Sequence, residues 1–356
     1  MELEAIFDRI GKEQYIVMKV EYKMKTEIYG TFGPACGTMD ILKKMIEKGM
    51  TGMRLNLSHT TLTDSKNYIE NYQIAAREMG IEPQILIDMQ GPELRIGKLE
   101  EVLELKIGDE ILLGKLENGT QIPIPQAVIE SIEIGDEILL DDGKILAHVI
   151  AVTKGISFTA EVIRGGVLHS HKSIKVIGKT IVLPPLTKHD IANIKMAKDY
   201  GVTALMQPFV LNGEDLRYVR SVLKQSGAEH ILIFAKIENR LGVENIEDII
   251  PEANVIIIAR GDLGNDMPLW ELPRVQKQIE VACQKANKPY IVVTQMLASM
   301  EHHPVPTRAE VSDIYHAVYH GAWGVMLTGE TAVGDHPVEA IRYLANTAEV
   351  AKTDLS

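Results

Sequence analysis

Eight short runs rich in β-branched and other apolar residues, each followed sooner or later by an amphipathic stretch, constrain this chain more than any other feature. They lie near Ile28 to Gly33, Gly52 to Ser58, Gln84 to Met89, Ala204 to Val210, Ile231 to Ile237, Asn254 to Gly261, Tyr290 to Thr294 and Trp323 to Thr328. Such runs read as parallel strands buried on both faces and joined by helices. Eight of these units is the number that closes a (β/α)8 TIM barrel, so the expected fold class is α/β. One crossover helix is explicit: after Thr187, Ile191, Ile194 and Ala197 recur at near-helical spacing, and Gly201 ends the run.

The rhythm breaks after the third unit. Short strands at Val102 to Leu105, Glu110 to Leu113, Glu137 to Leu140 and Ile145 to Val149 are separated by turn signals at Gly108-Asp109, Gly135-Asp136 and Asp141-Asp142-Gly143. The phrase Ile107 to Leu113 recurs unchanged as Ile134 to Leu140. The reading is an all-β lid domain over residues 98–183, inserted after strand three, with barrel segments 1–97 and 184–356 on either side. An insert there lies over the carboxyl-terminal face, where barrel proteins hold their chemistry.

Composition narrows the partners. With 46% hydrophobic and 24% charged residues in 356, the chain can bury a large core. A net charge of -12 opposes binding to nucleic acid or an acidic membrane surface, which depends on clustered cations. Cys36 and Cys283 alone suit a reducing compartment. The acidic start, Met1-Glu2-Leu3-Glu4-Ala5, is unlike a signal peptide, and an apolar run such as Val255 to Ala259 is far shorter than the ~20 residues that span a bilayer. A cytoplasmic location is expected.

Some motifs are decoys. Gly178-Lys179-Thr180 resembles the end of a phosphate-binding loop, but Ser173 stands where its first glycine belongs. No GxGxxG occurs, and His169, His171, His302 and His303 lack partner ligands at metal-binding spacing. The informative residues are polar groups at strand ends: Arg54, Asn56, Ser58 and His59; Asp88, Glu93 and Arg95; Lys236 and Glu238; Arg260 and Asp262; Thr294; Thr328 and Glu330. In a closed barrel they converge on one mouth. Glu238 and Asp262 are hard oxygen ligands suited to Mg2+ or Mn2+, while Arg54, Arg95 and Lys236 suit a phosphoryl group. Metal plus cations is the equipment of phosphoryl transfer.

At these residues the chain resembles the pyruvate kinase family. The phrases are Thr31 to Ala35, Met53 to His59, Asp88 with Gly91-Pro92-Glu93-Leu94-Arg95, Asp141-Asp142-Gly143, Ala235 to Asn239, Ala259 to Gly264, Thr294 to Leu297 with Ser299-Met300, Pro306 to Glu310 and Thr328 to Thr331, in the family's order. The resemblance implies transfer of phosphoryl from phosphoenolpyruvate to ADP, giving pyruvate and ATP, with these small molecules as partners and a homo-oligomer compatible with it. It implies that Lys236 stabilises the moving phosphoryl group and that Arg54 grips phosphate. Glu238 and Asp262 would bind Mg2+, and Thr294 would lie near the enolate carbon that gains a proton. The backbone amides of Gly261 and Asp262 would hold the carboxylate end of the substrate. Arg54, His59, Arg95 and, from the lid, Lys172 would meet the nucleotide. Asn56, Ser58, Asp88 and Met89 would form a K+ site.

Three departures stand out. Met89 and Gln90 precede Glu93, a mixture of the potassium-dependent and potassium-independent patterns; Pro208 replaces a family serine; and the chain ends at Ser356, where most members continue into a further α/β domain. The expectation is thus a short member lacking that domain. Two other readings use the same pocket: an enolate-forming lyase, aldolase or phosphotransferase for another oxo-acid, and a non-catalytic metabolite-binding paralogue.

Overall fold

The computed structural model describes residues 25–58, 60–115, 121–179 and 181–355. Three barrel strands come first: β1 (Glu27–Thr31), β2 (Gly52–Asn56) and β3 (Gln84–Asp88). The insert follows with β4 (Leu103–Leu105), β5 (Glu110–Gly114), β6 (Ile122–Pro123), β7 (Glu137–Leu140), β8 (Ile145–Thr153), β9 (Ser157–Arg164), β10 (Gly166–Leu168) and β11 (Ile174–Val176). The barrel resumes with β12 (Ala204–Gln207), β13 (Leu232–Ile237), β14 (Val255–Ala259), β15 (Tyr290–Val293) and β16 (Gly324–Met326).

Parallel pairing closes the barrel in the order β1-β16-β15-β14-β13-β12-β3-β2. Each expected barrel run overlaps one of these strands; β1 begins one residue earlier, at Glu27, and every strand is shorter than its run by a residue or more. In β14, Ile256 and Ile258 pack outward under the helices, while Val255, Ile257 and Ala259 point into the barrel with Leu86, Phe234, Ile291 and Met326. A period of two with both sets apolar is what a strand covered on both faces requires. The helix Lys188–Ala197 starts in a capping box between Thr187 and Asp190, and Gly201 takes φ +67° beyond its end.

The insert has its own core, with Ile111, Leu113, Ile138, Leu140, Val149 and Phe158 at its centre. Its main sheet has the order β11-β7-β8-β9-β5-β6, and β10 pairs with β4. A short helix, Gln126–Ser131, accompanies the strands. The repeated phrase builds the same turn twice. Gly108 and Gly135 have φ +89° and +95°, and Asp109 and Asp136 each accept a backbone N–H from three residues upstream at 2.7 Å. Only a residue without a Cβ adopts that backbone readily. Among the described residues, no helix is long and apolar enough to cross a membrane.

Candidate active site

The inward rows of the barrel change character toward the carboxyl-terminal end. On β13, Phe234 lies in the apolar interior and Lys236 follows it on the same face; Glu238 comes two residues later, just past the strand's end at Ile237. On β3, Leu86 is followed by Asp88; on β2, Arg54 and Asn56 alternate with the outward Met53 and Leu55. Apolar side chains thus fill the barrel, and charged ones cap it.

The charges are tightly engaged. The Arg54 guanidinium donates from Nε at 2.9 Å and Nη2 at 2.6 Å to Asp88 Oδ2, and from Nη1 to Thr31 Oγ1 at 3.2 Å. Lys236 Nζ is 2.8 Å from Glu238 Oε1 and 3.2 Å from Asp88 Oδ1. Glu238 Oε2 accepts the Phe209 N–H at 2.8 Å, where Phe209 is held at φ +51° after Pro208. Burial disfavours the Lys236 ammonium, yet Asp88 and Glu238 outweigh it and raise its pKa. Burial would also raise Asp88, but Lys236 and Arg54 hold its carboxyl below the ordinary range. Glu238 is pushed up to about 7, chiefly by burial and further by Asp262, against the pull of Lys236. Asp262 is raised by burial, with Lys236 opposing.

Thr294 has φ +75°, a costly conformation for a β-branched residue and one that persists only where its surroundings enforce it. Arg260 is the enforcer: its guanidinium donates to the Thr294 carbonyl at 2.7 and 3.2 Å and to Asp313 at 2.6 and 2.9 Å. The Thr294 hydroxyl accepts the Gly261 N–H at 3.0 Å and donates to the Val293 carbonyl at 2.5 Å. A carboxylate seated on the Gly261 amide must therefore take that donor from Thr294.

Arg54, Asn56, Ser58, Asp88, Met89, Arg95, Lys236, Gly261, Asp262 and Thr294, all expected site residues, line one cleft. Glu238 and Lys172 are not among its lining residues: Glu238 is buried beside Lys236, and the Lys172 ammonium is 2.9 Å from Asp141 Oδ1, within the insert. His59 lies outside the described residues. Arg95 is tied to the Glu93 carboxylate at 2.5 Å and to the His171 carbonyl at 2.8 Å. Asn56 Oδ1 accepts the Ser58 N–H at 3.1 Å, and Met89 is buried. Glu330 turns away from the chemistry, accepting the Leu297 and Thr328 N–H groups at 3.1 and 2.7 Å. Lys179, the decoy lysine, pairs with Glu133 and Asp136.

Sequence reasoning missed Asp190, which is fully buried and accepts the Gln90 and Gly91 N–H groups at 2.8 and 3.1 Å as well as capping its helix. The Thr187-x-x-Asp190 spacing signalled the cap and not the loop it holds. Among the described residues, no three His, Cys, Asp or Glu side chains gather as a cation cage. Glu238 and Asp262 nevertheless fit a hard divalent ion that draws its other oxygens from substrate and water. Glu238 Oε1 and Asp88 Oδ1 are buried without an aligned hydrogen-bond donor, the Lys236 ammonium lying beside both. Buried oxygens of that kind are what an added cation satisfies.

Barrel and mouth together define a (β/α)8 protein with a cation–carboxylate site at its carboxyl-terminal face and a β insert beside it. The chain belongs to the pyruvate kinase family: residues 23–341 match the family described as pyruvate kinase, barrel domain. It is 40% identical over 332 residues to a pyruvate kinase of Geobacillus stearothermophilus, covering 92% of this chain and 57% of that protein. It is 36% identical over 338 residues to one of Bacillus licheniformis, covering 93% and 58%. With a pyruvate kinase of Aeropyrum pernix it shares 37% over 330 residues, covering 93% and 71%.

Proposed function

We propose that this chain catalyses phosphoryl transfer between phosphoenolpyruvate and ADP, with residues 98–183 as the lid. The observation that carries the reading is the position of Lys236, between Glu238 and Asp88 and opposite the Arg54 fork on the same Asp88. An anionic phosphoryl group entering the mouth meets two cations already oriented and largely desolvated, where electrostatic stabilisation of spread charge is strongest. Mg2+ held by Glu238 and Asp262 would supply Lewis-acid charge to the substrate oxygens.

In the forward direction a β-phosphate oxygen of ADP attacks phosphorus, the bond from phosphorus to the enol oxygen breaks, and the enolate carbon takes up a proton to give pyruvate. Lys236 and Arg54 neutralise the transferring group. The Thr294 hydroxyl, fixed by Gly261 and by the Arg260 clamp on its backbone, is the group this reading assigns to the carbon that is protonated. Arg95, at the cleft and paired with Glu93, is the cation this reading assigns to the nucleotide, and Asn56, Ser58, Asp88 and Met89 form the candidate monovalent-cation position. Pyruvate release from phosphoenolpyruvate and ADP, followed in a coupled assay with and without K+, tests this reading. Mg2+-dependent turnover abolished by Lys236→Met is expected; a folded, Mg2+-loaded wild-type chain that makes no pyruvate would overturn it.

A further inference from the structure

We propose, resting on the reading just given, that Asp266 is a positioning residue that joins the two carboxylate loops to each other and to the insert. Asp266 Oδ2 accepts the Arg240 N–H at 2.5 Å, two residues beyond Glu238 and at the start of the short helix Arg240–Glu244. The Asp266 N–H itself donates to the Leu263 carbonyl, and the Asn265 N–H to the Asp262 carbonyl, at 3.1 and 3.0 Å, so Asp266 is held rigidly relative to Asp262. Its other oxygen, Oδ1, is 2.6 Å from Lys175 Nζ on β11 of the insert.

One carboxylate therefore spans three bodies: the segment after Glu238, the segment after Asp262, and the insert. The ion pair is only partly exposed, 30% at Lys175 and 14% at Asp266, so water screens it less than a surface pair. The insert also runs close to the loop at a second point. Gly143, in the turn between β7 and β8, has φ +81°, and a Cβ there would come within 3.1 Å of Asn265 Oδ1. The insert thus pairs with Asp266 and passes close to its neighbour Asn265 on the loop that carries Asp262. When the insert is docked, Lys175 draws on the carboxylate that also holds the Glu238 loop, so the geometry of the Glu238–Asp262 pair and insert docking are one event. Energetic coupling of this kind requires an element whose state both sites bias, and the Asp262–Asp266 turn is that element.

The test uses the full chain, MgCl2 alone as the probe of the carboxylate pair, and Lys175→Met, Asp266→Asn and their combination. Lys175→Met removes the insert's end of the link and leaves Asp266 on the Arg240 N–H; Asp266→Asn keeps an acceptor for that N–H and removes the charge. Amide exchange of β11 is expected to accelerate about fivefold in either single variant, with the MgCl2 concentration giving half-maximal thermal stabilisation raised about fivefold. The double variant is expected to be no worse than the worse single one, as for two ends of one link. At saturating MgCl2, kcat should return to within about twofold of the wild type, since positioning and not chemistry was weakened. Unchanged exchange and an unchanged MgCl2 midpoint in both single variants would overturn the proposal, as would strictly additive losses in the double. A chain that makes no pyruvate but shows the shifted exchange and midpoint loses the phosphotransfer reading and keeps Asp266 in this role.

Discussion

The barrel mouth and the insert handle charge in opposite ways. At the mouth, Arg54, Asp88, Lys236 and Glu238 are buried or nearly so: Arg54 and Lys236 reach Asp88 from strands 34 and 148 residues away in sequence, and Glu238 pairs with Lys236 beside it. In the insert, Lys144, Lys172 and Lys179 are at least a quarter exposed and paired mostly within the insert itself. The closed parallel sheet fixes its strand ends on a rigid ring, so charges placed there are preorganised. The antiparallel insert stands on a separate apolar core, and the Lys175–Asp266 pair is its charged hold on the loop that carries Asp262.

The largest expected effect breaks the mouth. On the proposed function, Lys236→Met should lower pyruvate formation by about 10³-fold or more, because the cation assigned to the moving phosphoryl group is lost with no substitute. Loss of less than about tenfold in steady-state turnover would argue that the charge at the mouth is not what drives the reaction. Arg54→Met leaves Asp88 with only Lys236 and should cost about 3–5 kcal/mol of stability in urea melts, the cost of breaking a buried pair from one side.

Ile138→Ala probes the other region. Ile138 is fully buried in the insert core, so about 2–4 kcal/mol should be lost there. Hydrogen exchange should rise in β5, β7, β8 and β9 and stay unchanged in β13 and β14; a uniform rise would show the two cores to be one cooperative unit.

The smallest effect concerns pH. Glu238 has its pKa raised from 4.5 to about 7, so the folded chain holds an extra proton between those values. Without divalent cation its contribution is fully present below pH 4.5 and fades as the pH rises to 7. Asp88 has the opposite sign: its pKa is lowered, and its contribution is lost only as the pH falls below the ordinary carboxylate range. Thermal melts across pH 5 to 7 should flatten in Glu238→Gln and on adding MgCl2; an unaltered slope in both would remove Glu238 as its source.

Much of this was legible beforehand, for identifiable reasons. The eight barrel runs announced themselves because strands buried on both faces leave a continuous apolar signature, as β14 does. The repeated Gly-Asp turns of the insert were readable because a positive φ at Gly108 and Gly135 narrows the residue choice. Lys236 and Glu238 could be assigned to one face from their spacing alone. The roles of Asp190, Arg260 and Asp266 were not readable, since each acts on backbone groups supplied by a different unit of the barrel. Lys172 fits the same lesson: its ion pair with Asp141, across 31 residues of the insert, has no local signature in the sequence.

The sequence by itself determined the periods: two along each strand, near 3.6 along each helix, and the switch from apolar to charged at the inward strand ends. Local stereochemistry and burial act over a few residues, so a few residues encode them. Only the tertiary structure decided that Asp88 receives both Arg54 and Lys236, that Thr294 is held in a strained conformation by Arg260, and that Asp266 reaches Lys175 across to the insert. Those partners are brought within bonding distance by closure of the ring and docking of the insert, and contacts made by closure have no local signature along the chain.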